Sequence, residues 1–347
     1  MRQRKGICFL VMVLVAVLIS SAYVEKGWAQ AAGKKVFKWR MQSFLPAGHP
    51  QNVVTKKWCE EVKQITNDQI DITFFAVNEI VPTIEAWEAC SKGVFEMIFD
   101  WSGYWTGKTL MAAYATGVPF TARSASDYIA LMRGQGLLEM IRTAYARHNL
   151  FLLNSFPAHA QVFMSRFPVN KVDDFRGRKI RTASFMADVL KEAGASPVFV
   201  PMGEVYGGIE RGVFEGSTMA INMHYSYGIH EVTKYLLMTP INDVEGLNVI
   251  INMNAWKSLP DDLKLLFEHS ASHLGEMHSN YVYTADVETL PKLQAKGIKF
   301  TYLPDAERSK MAGFMVKVLD NYSKKDPEFA RATEVVKKYM RAVGVLK

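Results

Sequence analysis

The apolar pattern of this 347-residue chain switches repeatedly between a period of two and a helical period, which restricts the fold to the α/β class. Val36 to Phe44 alternates apolar and polar residues, as a half-buried strand does. Gln51 to Thr66 then places Val54, Trp58, Val62 and Ile65 on one helical face. Ile70 to Val77 reads as a second strand. Pro82 opens another helix at a favoured first-turn position, and Gly93 closes it. Val94 to Phe99 reads as a third strand. A β-α-β-α-β order implies a parallel sheet with right-handed crossovers.

The second half repeats the theme. Lys179 to Arg181 is a short strand after a turn, and Phe185 to Ala193 a helix that Thr182-Ala183-Ser184 opens and Gly194 closes. Pro197 to Val200 is another strand, Glu204 to Arg211 a short helix, and Glu215 to Ile221 a third strand. From Pro260 to Pro291, Leu263, Leu266, Phe267, Ser270, Leu274 and Met277 keep helical spacing. A helix of about thirty residues spans roughly 45 Å, enough to run along two lobes.

The N-terminus specifies export. Arg2, Arg4 and Lys5 precede the apolar run Ile7 to Ile19, and Ala29-Gln30-Ala31 is a small-x-small cleavage signal. This is the plan of a Sec-type signal peptide covering residues 1–31, and the run is short for a spanning helix. No later run is long enough to span a bilayer, so the processed chain is expected to be periplasmic and not membrane-embedded. Its 316 residues exceed one comfortable core, which argues for two lobes. The formal charge of +7 falls to about +4 when the leader is removed. That charge is spread thinly, without the basic stripe that nucleic-acid binding needs. Cys59 and Cys90 then remain, and a core of this size favours two buried thiols over a disulfide or a metal site.

Arg181 is the residue that bears most on function. It ends a strand and faces a strand–loop–helix junction, where α/β folds open a ligand crevice. A guanidinium fixed there offers a planar, permanently charged fork that fits a carboxylate. Spacing alone leaves an ordinary surface arginine equally open. Other constellations are weaker. His269 and His273 have the i, i+4 spacing of a zinc pair but lack the glutamate of the metalloprotease motif. Gly134-Gln135-Gly136 has no leading strand and no third glycine, so it is not a dinucleotide fingerprint. No nucleophile or acid–base set can be assembled, so neither catalytic residues nor a cofactor is expected.

Ordered motifs then point to a family. They are Phe37-Lys38-Trp39-Arg40-Met41, Asn78-Glu79-Ile80-Val81-Pro82, Tyr104-Trp105-Thr106-Gly107-Lys108 and Asp174-Phe175-Arg176-Gly177-Arg178-Lys179-Ile180-Arg181. Pro201-Met202-Gly203-Glu204-Val205-Tyr206, Asn252-Met253-Asn254-Ala255-Trp256 and Leu259-Pro260-Asp261-Asp262-Leu263-Lys264 continue the series. Over essentially the whole processed chain, this set resembles the DctP-type solute receptors of tripartite ATP-independent periplasmic (TRAP) transporters, and most of all their 2-oxo-acid and monocarboxylate branch. The resemblance implies a two-lobed periplasmic binding protein of the Venus-flytrap kind, with a long helix spanning both lobes. Lobe I would comprise 32–156 plus 249–285, and lobe II 157–248 plus 286–347. It implies that a small organic acid anion is clamped by Arg181 and passed to the small and large subunits of a TRAP permease. An aromatic acid, a sulfonate, or an exported enzyme acting on a small acid are the alternatives.

Family position adds Thr218, Met219 and Asn222 to the expected site. Phe44, Trp101 and Tyr104 join them from first-lobe strand ends, which face the cleft. Gln161, Glu79, His159 and Tyr225 complete the set. The chain departs from the branch where an acidic residue should help hold a cation. Thr218-Met219 follows Gly212-Val213-Phe214-Glu215-Gly216-Ser217, and Asn242 stands near the other acidic position. Hard cations usually require carboxylate oxygen. No bound metal is therefore expected, with Glu79, Asp243 and Glu245 as the acids that could supply one.

Overall fold

The computed structural model describes residues 34–346, so the segment 1–31 expected to be a signal peptide lies outside the described residues. Eleven strands form two sheets, one in each lobe. The first contains β1 (Phe37–Ser43), β2 (Ile70–Phe75), β3 (Met97–Asp100), β4 (Leu150–Pro157) and β10 (Gly246–Asn252), in the order β2-β1-β3-β10-β4. The second contains β5 (Gln161–Ser165), β6 (Lys179–Arg181), β7 (Ser196–Val198), β8 (Gly216–Met219), β9 (Tyr235–Asn242) and β11 (Lys299–Thr301), in the order β11-β9-β5-β8-β6-β7.

The expected parallel pairing holds for β1 with β2 and with β3. The sheet as a whole is mixed, because β10 returns from the other lobe and runs antiparallel to both β3 and β4. Several boundaries also differ from the sequence reading. The third strand begins at Met97, since Gly93 is left-handed and Val94 hydrogen-bonds back to Ala89 in the helix end. The strand expected over Glu215–Ile221 stops at Met219, and Ile221 starts a helix that runs to Ser226. The long helix spans Asp261–Ala295 and continues four residues past Pro291, whose ring costs it one hydrogen bond near its end.

The chain changes sheet between β4 and β5, again between β9 and β10, and a third time through the long helix. β10 joins the first sheet at Gly246, so the second crossing lies upstream of 248/249. The long helix is tied to both lobes. Trp58, fully buried on the helix Pro50–Ile65, stacks on Phe267 at 5.5 Å and donates Nε1–H to the Ser270 carbonyl at 2.9 Å. Thr55 Oγ1 meets His278 Nε2 at 3.0 Å. Farther along, Asp286 accepts the backbone N–H of Asn222 at 2.8 Å. The C-terminal helix Pro327–Ala342 adds another bridge: Phe329 packs at 4.7 Å on Tyr114 of the first lobe and at 5.8 Å on Phe185 of the second. Cys59 and Cys90 are both buried free thiols, and burial raises the pKa of each.

Candidate functional site

Arg181 ends β6, pairing with Val198 of β7 and Ser217 of β8. β8 is buried along its whole length, and it can lie this close to β5 because residue 216 is glycine. A Cβ there would stand 2.7 Å from both the Met164 carbonyl and the Phe163 ring. The resulting wall holds the guanidinium at 5% exposure. Its Nε and Nη2 donate to the Val200 carbonyl at 3.1 and 3.0 Å, and Nη1 donates to the Thr218 carbonyl at 3.4 Å. A guanidinium has five N–H donors, so two remain for a guest. Burial lowers the Arg181 pKa, while Tyr104, Glu245 and Tyr227 act in the opposite direction. An arginine stays charged under either influence.

Glu245 occupies the same cavity. It lies in the second inter-lobe crossing, and its backbone is clasped by the first: Glu245 N–H donates to the His159 carbonyl at 2.7 Å, and Ala158 N–H to the Glu245 carbonyl at 2.8 Å. Its side chain accepts from Trp101 Nε1 at 2.6 Å and Gln161 Nε2 at 2.5 Å on one oxygen, and pairs with His159 Nε2 at 2.7 Å on the other. Burial acts to lower the His159 pKa, but the hydrogen bond and charge of Glu245 outweigh it, and the net shift is upward.

Arg181, Glu245, Trp101, His159, Gln161, Phe44, Thr218 and Met219 line this cavity together with Met202, Met223 and Leu247. The space between these side chains is about 340 Å³ with solvent at its mouth included, of which only about 20 Å³ admits the centre of a water molecule. Of the residues expected from sequence, the structure brings seven here. Tyr104 lies just beyond, edge-on to Trp101 at 5.4 Å, and lines a neighbouring recess with Thr182 and Phe199. Three others do not line the cavity. The Glu79 carboxylate caps the Ala76 N–H at 2.6 Å and Tyr225 stacks on His230 at 4.6 Å, while Asn222 bonds the long helix through its backbone N–H, its side-chain Oδ1 being buried without a partner among the described residues.

Met202, Met223 and Leu247 carry no sequence signal beyond hydrophobicity. Glu245 had a signal, in the acid pair Asp243/Glu245, but the pair does not say which member turns inward. Asp243 turns away to Arg308 at 2.5 Å, leaving Glu245 for the cavity.

Two helix-covered sheets with Arg181 and Glu245 at their junction define a two-lobed α/β fold with a crevice between the sheets. Solved structures share the architecture. A TRAP periplasmic solute-binding protein from Pseudoalteromonas atlantica, solved with sodium and pyruvate, superposes with a TM-score of 0.81 at 23% identity, covering 89% of this chain and 95% of that one. One from Bordetella bronchiseptica, with calcium and picolinate, gives a TM-score of 0.81 at 22% identity, covering 89% and 93%. Among relatives by sequence, a monocarboxylate 2-oxoacid-binding periplasmic protein of Nostoc is 25% identical over 90% of this chain and 86% of its own. An ectoine/5-hydroxyectoine-binding periplasmic protein of Ruegeria pomeroyi is 27% identical over 83% and 86%. Residues 41–326 match the model of the DctP family, bacterial extracellular solute-binding protein family 7, and the chain belongs to that family.

The sodium and calcium in those neighbours prompt a test of fit. Glu245 is the one carboxylate lining the cavity, and three donors already occupy it. The Arg181 charge shares the space. Among the described residues no group of three or more His, Cys, Asp or Glu side chains could hold a metal ion. This donor set does not suit a hard cation.

Proposed function

We propose that this chain is an exported receptor that captures a small organic acid anion through Arg181 and delivers it to a TRAP permease. The observation that carries the reading is the state of the Arg181 guanidinium. It is almost fully buried, it is braced by two backbone carbonyls, and it keeps two N–H donors for a guest. A buried cation without an ion-pair partner is costly, and a carboxylate that enters and is enclosed relieves that cost. Glu245 acts on it across the cavity but makes no direct ion pair with it, and bonds Trp101, Gln161 and His159 instead.

The inter-lobe crossings at 158–160 and 243–245 supply a hinge, and closure around the guest would exclude water from the pair. Among the described residues no helix is long and apolar enough to cross a membrane. Family membership supports a binding role over an enzymatic one. A thermal-shift screen over small carboxylates, sulfonates and neutral analogues tests the reading, since a ligand of the native state raises apparent stability. Monocarboxylates should raise Tm and their neutral amides should not. Equal shifts for acid and amide would refute it.

A further inference from the structure

We propose that the ligand presents a hydrogen-bond donor, a hydroxyl or an ammonium, close to its carboxylate, and that Glu245 with Gln161 receives it. This rests on the reading of Arg181 as the carboxylate clamp and narrows the ligand class.

The argument is a count of donors and acceptors around one cavity. Arg181 supplies the free donors on one wall. The side that holds Glu245 has spent most of its donors internally, leaving one Gln161 amide proton and the buried, unpartnered His159 Nδ1. Trp101 gives its only N–H to Glu245 Oε1 and Gln161 gives one amide proton to the same oxygen, while on the Arg181 side the Thr218 hydroxyl is turned to Thr182 Oγ1 at 2.9 Å. What the Glu245 side offers besides is acceptor capacity. A carboxylate has about four lone-pair positions, and three are used, leaving one on Glu245 Oε2 beside His159. The Gln161 amide oxygen takes no hydrogen bond from the described residues, and it is not sealed from the cavity.

An oxo oxygen is an acceptor only. Next to Glu245 it would set lone pair against lone pair, with a single remaining Gln161 proton to meet it. A bridging cation would remove that conflict, but the donor set here does not suit one. A hydroxyl or ammonium at the same place donates to Glu245 or Gln161 while the carboxylate stays on Arg181. Sites built to bond a ligand's donor discriminate strongly against the analogue that lacks it, because a buried polar group is then left unpaired.

Calorimetry on the processed chain with matched acids tests this: L- and D-lactate, L-alanine and pyruvate, then the branched set 2-hydroxy-3-methylbutanoate, valine and 3-methyl-2-oxobutanoate. The best donor-bearing member of a set should bind at least ~10-fold more tightly than the oxo member. Glu245→Gln should shrink that gap. An oxo acid that binds as tightly as its hydroxy and amino partners overturns the proposal and leaves the carboxylate clamp standing. No binding by any acid in either set, with Arg181 intact, overturns the clamp reading and this proposal with it. The wild-type ratio decides the matter even if Glu245→Gln fails to fold.

Discussion

Gly246 follows Glu245 directly, where β10 re-enters the first sheet opposite Pro157, and Gly246→Ala probes how tightly that crossing is built. The added methyl would fall well inside contact distance of Tyr128 Oη and the Ala115 carbonyl, and 2.9 Å from Tyr128 Cζ. Neither neighbour can yield cheaply. Ala115 is backbone, and the Tyr128 ring is fully buried, its hydroxyl bonded to Ser155 Oγ at 2.6 Å and to the Ala115 carbonyl at 3.2 Å. Moving the ring breaks a buried hydrogen-bond pair, at ~1–3 kcal/mol, and overpacking the site costs about 1–3 kcal/mol more. We expect a total loss of ~2–6 kcal/mol, read as a lower urea midpoint at unchanged slope. Gly107→Ala is the control, because nothing lies within 4 Å of its added methyl. It should stay within ~0.5 kcal/mol of wild type. A Gly246→Ala loss no larger than the control's would refute the close-packed crossing.

Three further outcomes follow from the site. His159 is held above its ordinary value of 6.5 by Glu245, so its contribution to stability is fully present below that value and is lost as pH rises through the folded pKa. Anion affinity should fall over the same rise at constant ionic strength, and His159→Gln should flatten the profile; a flat wild-type profile would contradict this. Met219 lines the cavity with an unbranched, adaptable side chain, and Met219→Trp should lose large ligands while keeping small ones, whereas equal loss of both would make the residue structural. Ligand affinity should be nearly independent of Na⁺ or Ca²⁺ at fixed ionic strength, and loss with a chelator followed by rescue with one divalent ion would overturn the reading of the donor set.

Much of the frame is visible in the sequence because it rests on local pattern. The alternation at β1, the face of Val54, Trp58 and Val62, and the run from Asp261 all follow from neighbours close in sequence. What is missing depends on distant contacts. β10 is an apolar run whose direction is set by β3 and β4, so the mixed sheet could not be seen locally. Arg181 was accessible because it ends a strand inside a strong motif. Glu245 was visible as an acid, but its inward turn depends on Arg308, 63 residues away, taking Asp243. Glu79 and Tyr225 stand near strand or helix ends, and cap and stacking contacts there claim their side chains first.

The central claim is that Arg181 grips the acid group of the ligand as a two-pronged fork. Arg181→Lys keeps the charge and loses the planar pair of donors, along with the brace on Val200. Calorimetry with the best acid from the screen should show affinity lower by 10-fold or more, about 1.4 kcal/mol. Unchanged affinity in a folded Arg181→Lys protein would contradict the account.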